Sequence, residues 1–365
     1  MCRMWRVAIP AGYECVVDIC RPGGYFRCPR EGLLSMFKTL RAVRHLSTGG
    51  AMQQAVSELC VPVPWGQIRG QVWGPDHGRP VLCLHGWSDN CGSFKNLIPL
   101  LPKECKYVAM DMAGHGLSSH RPDGVFYMFS SYVADVYRVI DALQWKRFSI
   151  IGHSMGGNVA SLFSALYPEM VERLVVLDLF GFFPTEVEKI PELMRKGIDE
   201  MVQYDKKKGE RAERVYTYEK AVERLRAANP FLSEQSARIL LERGSTEVEG
   251  GVVFNRDFRI NLTNITRLTL MQAFEMLSRT QAQIHLVMAS NGIRRSLSEP
   301  MKQVCDELLK AYADKGASVV TVAGDHHVHL NHPEAVAQLL TDYLQRGAVT
   351  RADGPATGMD AAKLG

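Results

Sequence analysis

The sequence of 365 residues has little net charge, no long apolar segment and no patterned cysteines. Its formal net charge of +4 argues weakly against a nucleic-acid-binding protein. No stretch approaches the roughly 20 consecutive apolar residues of a membrane-spanning helix. The 9 cysteines show neither metal-ligand spacing nor a disulfide pattern, so we expect a reducing, intracellular compartment. Nothing in the sequence indicates an oligomeric state.

The two ends of the chain differ from its body in composition. Residues 1–50 carry a net charge of +5, and the remainder carries −1. Within this basic leader, residues 36–50 combine basic and hydroxyl residues with apolar spacing and no acid, which is typical of a mitochondrial transit peptide. A disordered basic tail is the alternative. We expect a cytoplasmic or organellar protein, mitochondrial or else peroxisomal in the organellar case, with a disordered tail at residues 347–365.

Between these ends, apolar runs alternate with segments of helical periodicity. Residues 58–74 alternate around a Pro-Trp-Gly turn and predict two antiparallel strands. Continuous apolar runs predict buried strands at 79–86, 106–116, 147–152, 172–181, 284–290 and 317–324. Strands alternating with helices predict an α/β protein, with a mostly parallel central sheet and helices on both faces.

Residues 182–280 interrupt this alternation. They are polar, charged and helical in pattern, with no clear buried strand. We interpret them as a helical cap inserted into a core formed by residues 51–181 and 281–346. Three aromatic residues at the start of the cap predict an apolar substrate group, or else pack the cap onto the sheet: Phe180, Phe182 and Phe183.

A serine flanked by small residues follows the strand at 147–152. Gly152-His153-Ser154-Met155-Gly156 fits the pattern G-x-S-x-G between a strand and a helix, the context of a nucleophile elbow. In such an elbow the serine takes strained backbone angles and its hydroxyl projects above the sheet. Ser154 is therefore the predicted nucleophile, although glycine and serine are also common in ordinary sharp turns.

Two backbone donors are predicted to face this serine. The loop after the strand at 79–86 begins with His85-Gly86-Trp87, and such a loop supplies one N–H group to an oxyanion hole. The residue after the nucleophile supplies the other. The backbone N–H groups of Trp87 and Met155 are therefore the predicted donors. The segment from Asp111 to Ser118 follows the next strand as a turn, and we assign it a structural role.

The predicted base lies near the C-terminus, where a histidine cluster follows the last strand. His326 is the expected base because it is nearest the strand end, with His327 and His329 as alternatives. Three histidines in four residues also suggest a metal site. No carboxylate or cysteine cluster at metal spacing supports that interpretation, so we predict no metal and no cofactor.

These motifs together resemble the α/β-hydrolase superfamily. Four segments resemble the serine hydrolase-like proteins of animals in particular: "VPWGQIRGQVWG", "VLCLHGWSDNCGSF", "YVAMDMAGHGLSSH" and "FNRD". The resemblance covers about residues 58–346. It implies an α/β-hydrolase fold and a hydrolase with a serine, an acid and a histidine, without a cofactor. It supplies no substrate.

The acid is the weakest point of the resemblance. In many relatives it follows the strand written here "IHLVMASNGIRR", which contains no Asp or Glu. Asp178, at the end of the preceding strand, fits the chain order of nucleophile, acid and histidine. It is the predicted acid, with Glu299 as the alternative. Asp178 would otherwise only bind loop backbone.

We therefore expect a serine hydrolase that cleaves a small or medium apolar ester-type substrate through an acyl-enzyme on Ser154. One alternative is a catalytically weak or inactive relative that binds a ligand or partner, because the usual acid is missing. Another is hydrolysis of a carbon–carbon bond on the same fold.

Overall fold

The computed structural model describes residues 56–208 and 214–345. The predicted leader at 1–50, with its transit-peptide candidate at 36–50, and the predicted tail at 347–365 lie outside these residues. Among the described helices, none has the length and apolar character needed to cross a membrane.

Eight strands form the central sheet, in the spatial order β1-β2-β4-β3-β5-β6-β9-β10. The strands are β1 (Val56–Val63), β2 (Gly66–Trp73), β3 (Arg79–Leu84), β4 (Cys105–Met110), β5 (Phe148–His153), β6 (Val171–Leu177), β9 (Gln283–Asn291) and β10 (Ser318–Asp325). The β1–β2 and β2–β4 pairs are antiparallel, and the other five pairs are parallel. The predicted mostly parallel sheet is confirmed.

Helices cover both faces of this sheet because alternate side chains of each buried strand point to opposite sides. Leu82 of β3 packs in one apolar core with Phe163, which lies on a helix that follows β5. Its neighbour Val81 packs on the other face with Leu340 of the C-terminal helix. The predicted strands buried on both faces are therefore present.

The helices longer than one turn are α1 (Phe129–Ala142), α2 (Met155–Leu166), α3 (Ile190–Lys207), α4 (Tyr218–Ala228), α5 (Glu234–Gly244), α6 (Leu270–Arg279), α7 (Glu299–Asp314) and α9 (Glu334–Gln345). A short helix, α8 (Val328–Asn331), precedes α9.

The segment 182–280 contains α3 to α6 but is not purely helical. A hairpin of β7 (Ser245–Val248) and β8 (Gly251–Phe254) lies within it, in a region for which the sequence indicated no clear buried strand. Most of its side chains are exposed or half-buried, so the hairpin lacks the apolar run that marks a buried strand. The boundaries 182 and 280 stay a prediction.

The base of this segment is closed by a backbone hydrogen bond. The N–H group of Thr185 donates to the carbonyl oxygen of Leu268 at 2.7 Å. After this point α6 packs with α2 in the main core, through Ala273 and Leu277. The chain therefore leaves and rejoins the core at adjacent positions.

Candidate active site

Ser154 occupies a sharp turn between β5 and α2. Its backbone angles are φ 49° and ψ −118°, a region that residues with a Cβ atom rarely adopt. The turn is held by the N–H group of Ser154, which donates to the Leu177 carbonyl oxygen at 3.0 Å. A Cβ atom on Gly156 would lie 2.1 Å from the Leu84 carbonyl oxygen, so only glycine lets α2 approach β3 this closely. The local geometry is that of a nucleophile elbow.

The structure brings three predicted side chains into one hydrogen-bonded chain. Ser154 Oγ lies 3.0 Å from His326 Nε2, and His326 Nδ1 lies 2.6 Å from Asp178 Oδ2. Because a carboxylate only accepts, Nδ1 carries the hydrogen and Nε2 of the neutral ring is free to accept from Ser154. The three residues come from the carboxyl ends of β5, β6 and β10, although 172 residues separate Ser154 from His326 in the chain.

Asp178 is held by the loop that lacks an acid. The backbone N–H of Ala289 donates to Asp178 Oδ1 at 2.9 Å, and that of Ile293 donates to Oδ2 at 2.8 Å. The side chain is fully buried, and φ at Asp178 is 46°. The end of β9 thus supplies the hydrogen bonds that orient a carboxylate delivered by the neighbouring strand β6.

The alternative acid and the alternative bases lie elsewhere. Glu299 is in the first turn of α7, where its exposed side chain pairs with Lys302. His327 and His329 are buried and make no hydrogen bond to Ser154 among the described residues. Of the predicted candidates, the structure joins only Asp178 and His326 to the serine.

The two residues predicted to donate backbone N–H groups lie in different local structures, one at the start of a helix and one in a loop. Met155 is the first residue of α2, and the first N–H groups of a helix have no partner within the helix. Trp87 follows β3, next to Ser88 with φ 72°. Its indole N–H donates to the Ile260 carbonyl oxygen at 3.0 Å, so the side chain links this loop to the segment 182–280.

The aromatic residues after β6 divide between the core and the surface. Phe180 and Phe182 are fully buried in the main core, whereas Phe183 is 37% exposed. Phe180 and Phe182 therefore fit the packing interpretation, and Phe183 alone is available to contact a ligand.

Asp111 has the structural role expected from its turn. Its Oδ1 accepts from the Cys91 N–H at 2.8 Å, and its Oδ2 accepts from the Leu117 N–H at 3.0 Å. The Arg243 guanidinium also donates to Oδ2, at 2.8 Å through Nη2. Asp111 thereby ties β4, the loop after β3 and helix α5 together.

A second polar cluster, which sequence reasoning missed, lies beside the hydrogen-bonded chain. It consists of Asp89, His153 and His327, which we call the Asp89 cluster; all three are buried. Asp89 Oδ2 lies 3.2 Å from His327 Nε2 and 3.7 Å from His153 Nδ1. The three residues come from distant parts of the chain, so no local spacing signals the cluster.

Burial and the carboxylate shift the pKa values of this cluster in opposite directions. Burial lowers the pKa of His153 to about 4. Burial also acts against charged His327, but the charge of Asp89, its hydrogen bond and the nearby carboxylates Asp325 and Asp178 together outweigh burial and raise the pKa of His327. For Asp89 burial favours the neutral acid, and the neighbouring His327 and His153 nonetheless hold its pKa well below its usual range. Asp89 thus favours the charged form of His327 more strongly than that of His153.

The comparisons with known proteins agree with this geometry. A family model described as alpha/beta hydrolase fold matches residues 79–227. A "Serine hydrolase-like protein" of Danio rerio is 59% identical over 310 residues, covering 85% of this chain and 94% of that protein. The chain belongs to the serine hydrolase-like proteins of the α/β-hydrolase superfamily. The predicted family and fold are confirmed.

Two solved structures are also similar in fold to this serine hydrolase-like protein. A hypothetical protein from Pseudomonas aeruginosa PAO1 has 31% identity and a TM-score of 0.70, covering 79% of this chain and 99% of that one. A structure named "Thioesterase Domain From Curacin Biosynthetic Pathway" has 26% identity and a TM-score of 0.66, covering 78% and 99%. The family and these folds support a hydrolase.

Proposed function

We propose that this hydrolase cleaves an ester-type bond of a small or medium apolar substrate through an acyl-enzyme on Ser154. The observation that carries the proposal is the hydrogen-bonded chain from Ser154 Oγ through His326 to Asp178. A serine hydroxyl becomes a good nucleophile when a base accepts its proton during attack. The 3.0 Å distance from Ser154 Oγ to His326 Nε2 supports this role for His326, and the contact with Asp178 supports the orientation of the ring.

In the acylation step, Ser154 Oγ attacks the substrate carbonyl carbon while its proton passes to His326 Nε2. The negative charge that develops on the carbonyl oxygen is stabilised by the backbone N–H groups of Met155 and Trp87. Loss of one such donor costs roughly 100- to 1000-fold in rate in a comparable hydrolase. Asp178 stabilises the imidazolium and keeps the hydrogen on Nδ1.

The tetrahedral intermediate then collapses and releases the alcohol or thiol, which takes the proton from His326. In deacylation, His326 accepts a proton from the water that attacks the acyl carbonyl, and it returns this proton to Ser154 Oγ as the bond to the serine breaks and the acid is released. Neither step requires a metal or a cofactor, since His326 carries the proton in each step and the backbone N–H groups stabilise the negative charge on the carbonyl oxygen.

The substrate class rests on two observations of different kinds. Phe183 places an exposed aromatic ring at the start of the segment 182–280, which suits an apolar group. The similarity to a structure named as a thioesterase domain adds thioesters to the candidate ester-type substrates. We include oxygen esters and thioesters of short and medium acyl chains in the proposal.

The proposal is tested with a fluorophosphonate probe and a panel of esters, thioesters and diketones. We expect the probe to label wild-type protein but not Ser154→Ala. Asp178→Asn should lower turnover by up to about 10⁴-fold, because the histidine loses the partner that fixes its tautomer. Glu299→Gln is the matched control, and it should retain wild-type turnover.

Three results would contradict the proposal. Labelling that persists in Ser154→Ala would place the nucleophile elsewhere. Equal turnover in Asp178→Asn and wild type, with loss in Glu299→Gln, would assign the acid to α7. Absence of turnover across the ester and thioester panel would favour a binding role, or carbon–carbon hydrolysis if the diketones react.

A further inference from the structure

The Asp89 cluster joins three strand ends at the sheet edge that carries Ser154. Asp89 lies in the loop after β3, His153 is the last residue of β5, and His327 follows β10. Their side chains are between 1% and 3% exposed. A carboxylate and two imidazoles therefore converge where almost no solvent reaches them.

The hydrogen bonds of His153 leave one nitrogen without a partner. His153 Nε2 lies 2.7 Å from the carbonyl oxygen of His326, which only accepts, so Nε2 carries the hydrogen. In the neutral ring, Nδ1 then presents a lone pair. This atom is buried and has no hydrogen-bond partner among the residues the structure describes. It faces Asp89 Oδ2 at 3.7 Å.

A lone pair facing a carboxylate in a buried space is unfavourable unless a cation or a proton lies between them. A glycine, Gly86, faces the gap between these two atoms. A Cβ atom on Gly86 would lie 2.8 Å from His153 Nδ1 and 2.9 Å from Asp89 Oδ2, so the glycine keeps side-chain atoms away from the two acceptors.

We propose that Asp89, His153 Nδ1 and His327 Nε2 form a binding site for one zinc-class transition-metal ion. The three ligand atoms lie within 4.8 Å of one another. A tetrahedral zinc site with bonds of about 2.0–2.1 Å separates its ligands by about 3.3 Å. The Asp89 Oδ2 distances of 3.2 Å to His327 and 3.7 Å to His153 are close to that spacing.

The donor set selects the class of ion. Two imidazoles and one carboxylate suit zinc and its transition-metal neighbours, whereas magnesium and calcium prefer sites made of oxygen. Three protein ligands also leave a fourth position for water. Asn229 Nδ2 lies 3.4 Å from His327 Nε2, so an amide adjoins this ligand atom.

The second contact of His153 strengthens the assignment. A histidine that binds a metal usually donates its other N–H to a carboxylate, a backbone carbonyl or water. His153 Nε2–H already makes such a bond, and the carbonyl it reaches belongs to His326. An ion on Nδ1 would therefore be connected to the residue whose ring contacts Ser154 Oγ.

Metal content and thermal stability test the site without an activity measurement. Tag-free protein is stripped with EDTA, incubated with zinc, desalted and analysed by mass spectrometry. We expect about one zinc per chain in wild type, a higher Tm with zinc, and, with cobalt in place of zinc, the strong visible absorption of tetrahedral coordination. Asp89→Asn should lose all three responses.

The controls separate a lost site from a lost fold. In Asp89→Asn the amide can donate to His153 Nδ1, so the metal-free variant should retain the wild-type circular dichroism spectrum. His327→Asn removes a ligand from a different strand end and should also lose the zinc. His332→Gln, at an exposed histidine, should retain it. Equal zinc in wild type and both ligand variants, or no retained zinc in wild type, would overturn the proposal.

Discussion

At the scale of single residues, Ser154 combines reactivity with backbone strain. A non-glycine residue held in a rarely populated region of backbone angles costs on the order of 1–3 kcal/mol, and contacts in the surrounding structure must offset that cost. The angles of φ 49° and ψ −118° place Ser154 there. The hydroxyl is therefore held in position at the expense of stability.

We expect Ser154→Gly to be more stable than Ser154→Ala, because both lack the hydroxyl but only glycine adopts these angles without strain. The difference in the free energy of unfolding should be about 1 kcal/mol, measured by urea denaturation of the two variants. Equal stability, or a more stable alanine variant, would show that the turn is not strained.

The sequence located the individual residues where a local pattern existed. Ser154 lies inside a five-residue motif, and His326 follows a recognisable strand, so both were predictable. Asp178 was predicted from its position at a strand end and from the chain order of the three residues. The Asp89 cluster was not predictable, because Asp89, His153 and His327 meet only after three parallel strands have aligned.

At the scale of elements, helix α5 is attached to the sheet by one buried arginine. Arg243 pairs with Asp111 Oδ2 at 2.8 Å and with Glu58 of β1 through Nη1 at 2.6 Å. The Asp111 side chain is fully buried, so removal of its partner would leave an uncompensated charge. Arg238, on the same helix, pairs with Glu219 and Glu234 near the surface.

Arg243→Met should lower the free energy of unfolding by about 3 kcal/mol or more, as expected for one half of a buried pair. Arg238→Met is the matched control and should cost less than about 1 kcal/mol, since surface pairs contribute little. Chemical denaturation of both variants measures the difference. Similar small losses in the two variants would mean that α5 does not depend on Arg243.

Elements were predictable in proportion to how deeply they are buried. The strands β3 to β6 have continuous apolar runs, and their positions followed directly from the sequence. The positions of β7 and β8 did not, because each strand has only four residues and Val252 is the one fully buried residue of the hairpin. Its clearest signal was the glycine pair at 250–251, which marks the turn.

At the scale of the whole molecule, buried histidines make stability depend on pH. Burial is the main cause of a lowered pKa at four of them, which form two neighbouring pairs: His85 with His115, and His153 with His329. His115 falls to about 3 and His153 to about 4. The pKa of His327, which is also buried, shifts upward instead.

The sign of the effect follows from proton binding. In the unfolded chain these histidines titrate near pH 6.5. Below that pH the unfolded state binds protons that the four neutral rings of the folded state do not bind. The free energy of unfolding therefore decreases as the pH is lowered from about 6.5 toward the pKa values of the folded state. Each group contributes up to about 1.4 kcal/mol per pH unit. The raised pKa of His327 acts in the opposite direction but concerns one group only.

We expect unfolding in urea to require less denaturant at pH 5.5 than at pH 7.5. His329→Leu should reduce that loss of stability by about 1 kcal/mol, since it removes a buried ring whose nitrogens have no hydrogen-bond partner in the described part of the chain. His332→Gln, at an exposed site, should keep the wild-type dependence. A pH profile unchanged by His329→Leu would contradict this account.

The backbone bond between Thr185 and Leu268 has a consequence for how such a protein can diversify. The chain leaves the core near Thr185 and returns to it near Leu268, and these two residues are hydrogen-bonded. The residues between them therefore form an insertion whose two ends are adjacent. Its length and shape can change with least effect on the core at positions away from α5, which Arg243 attaches to Asp111 and β1. Ser154, Asp178 and His326 all lie outside it, so a new selectivity could be acquired while the reactive chemistry stayed as it was.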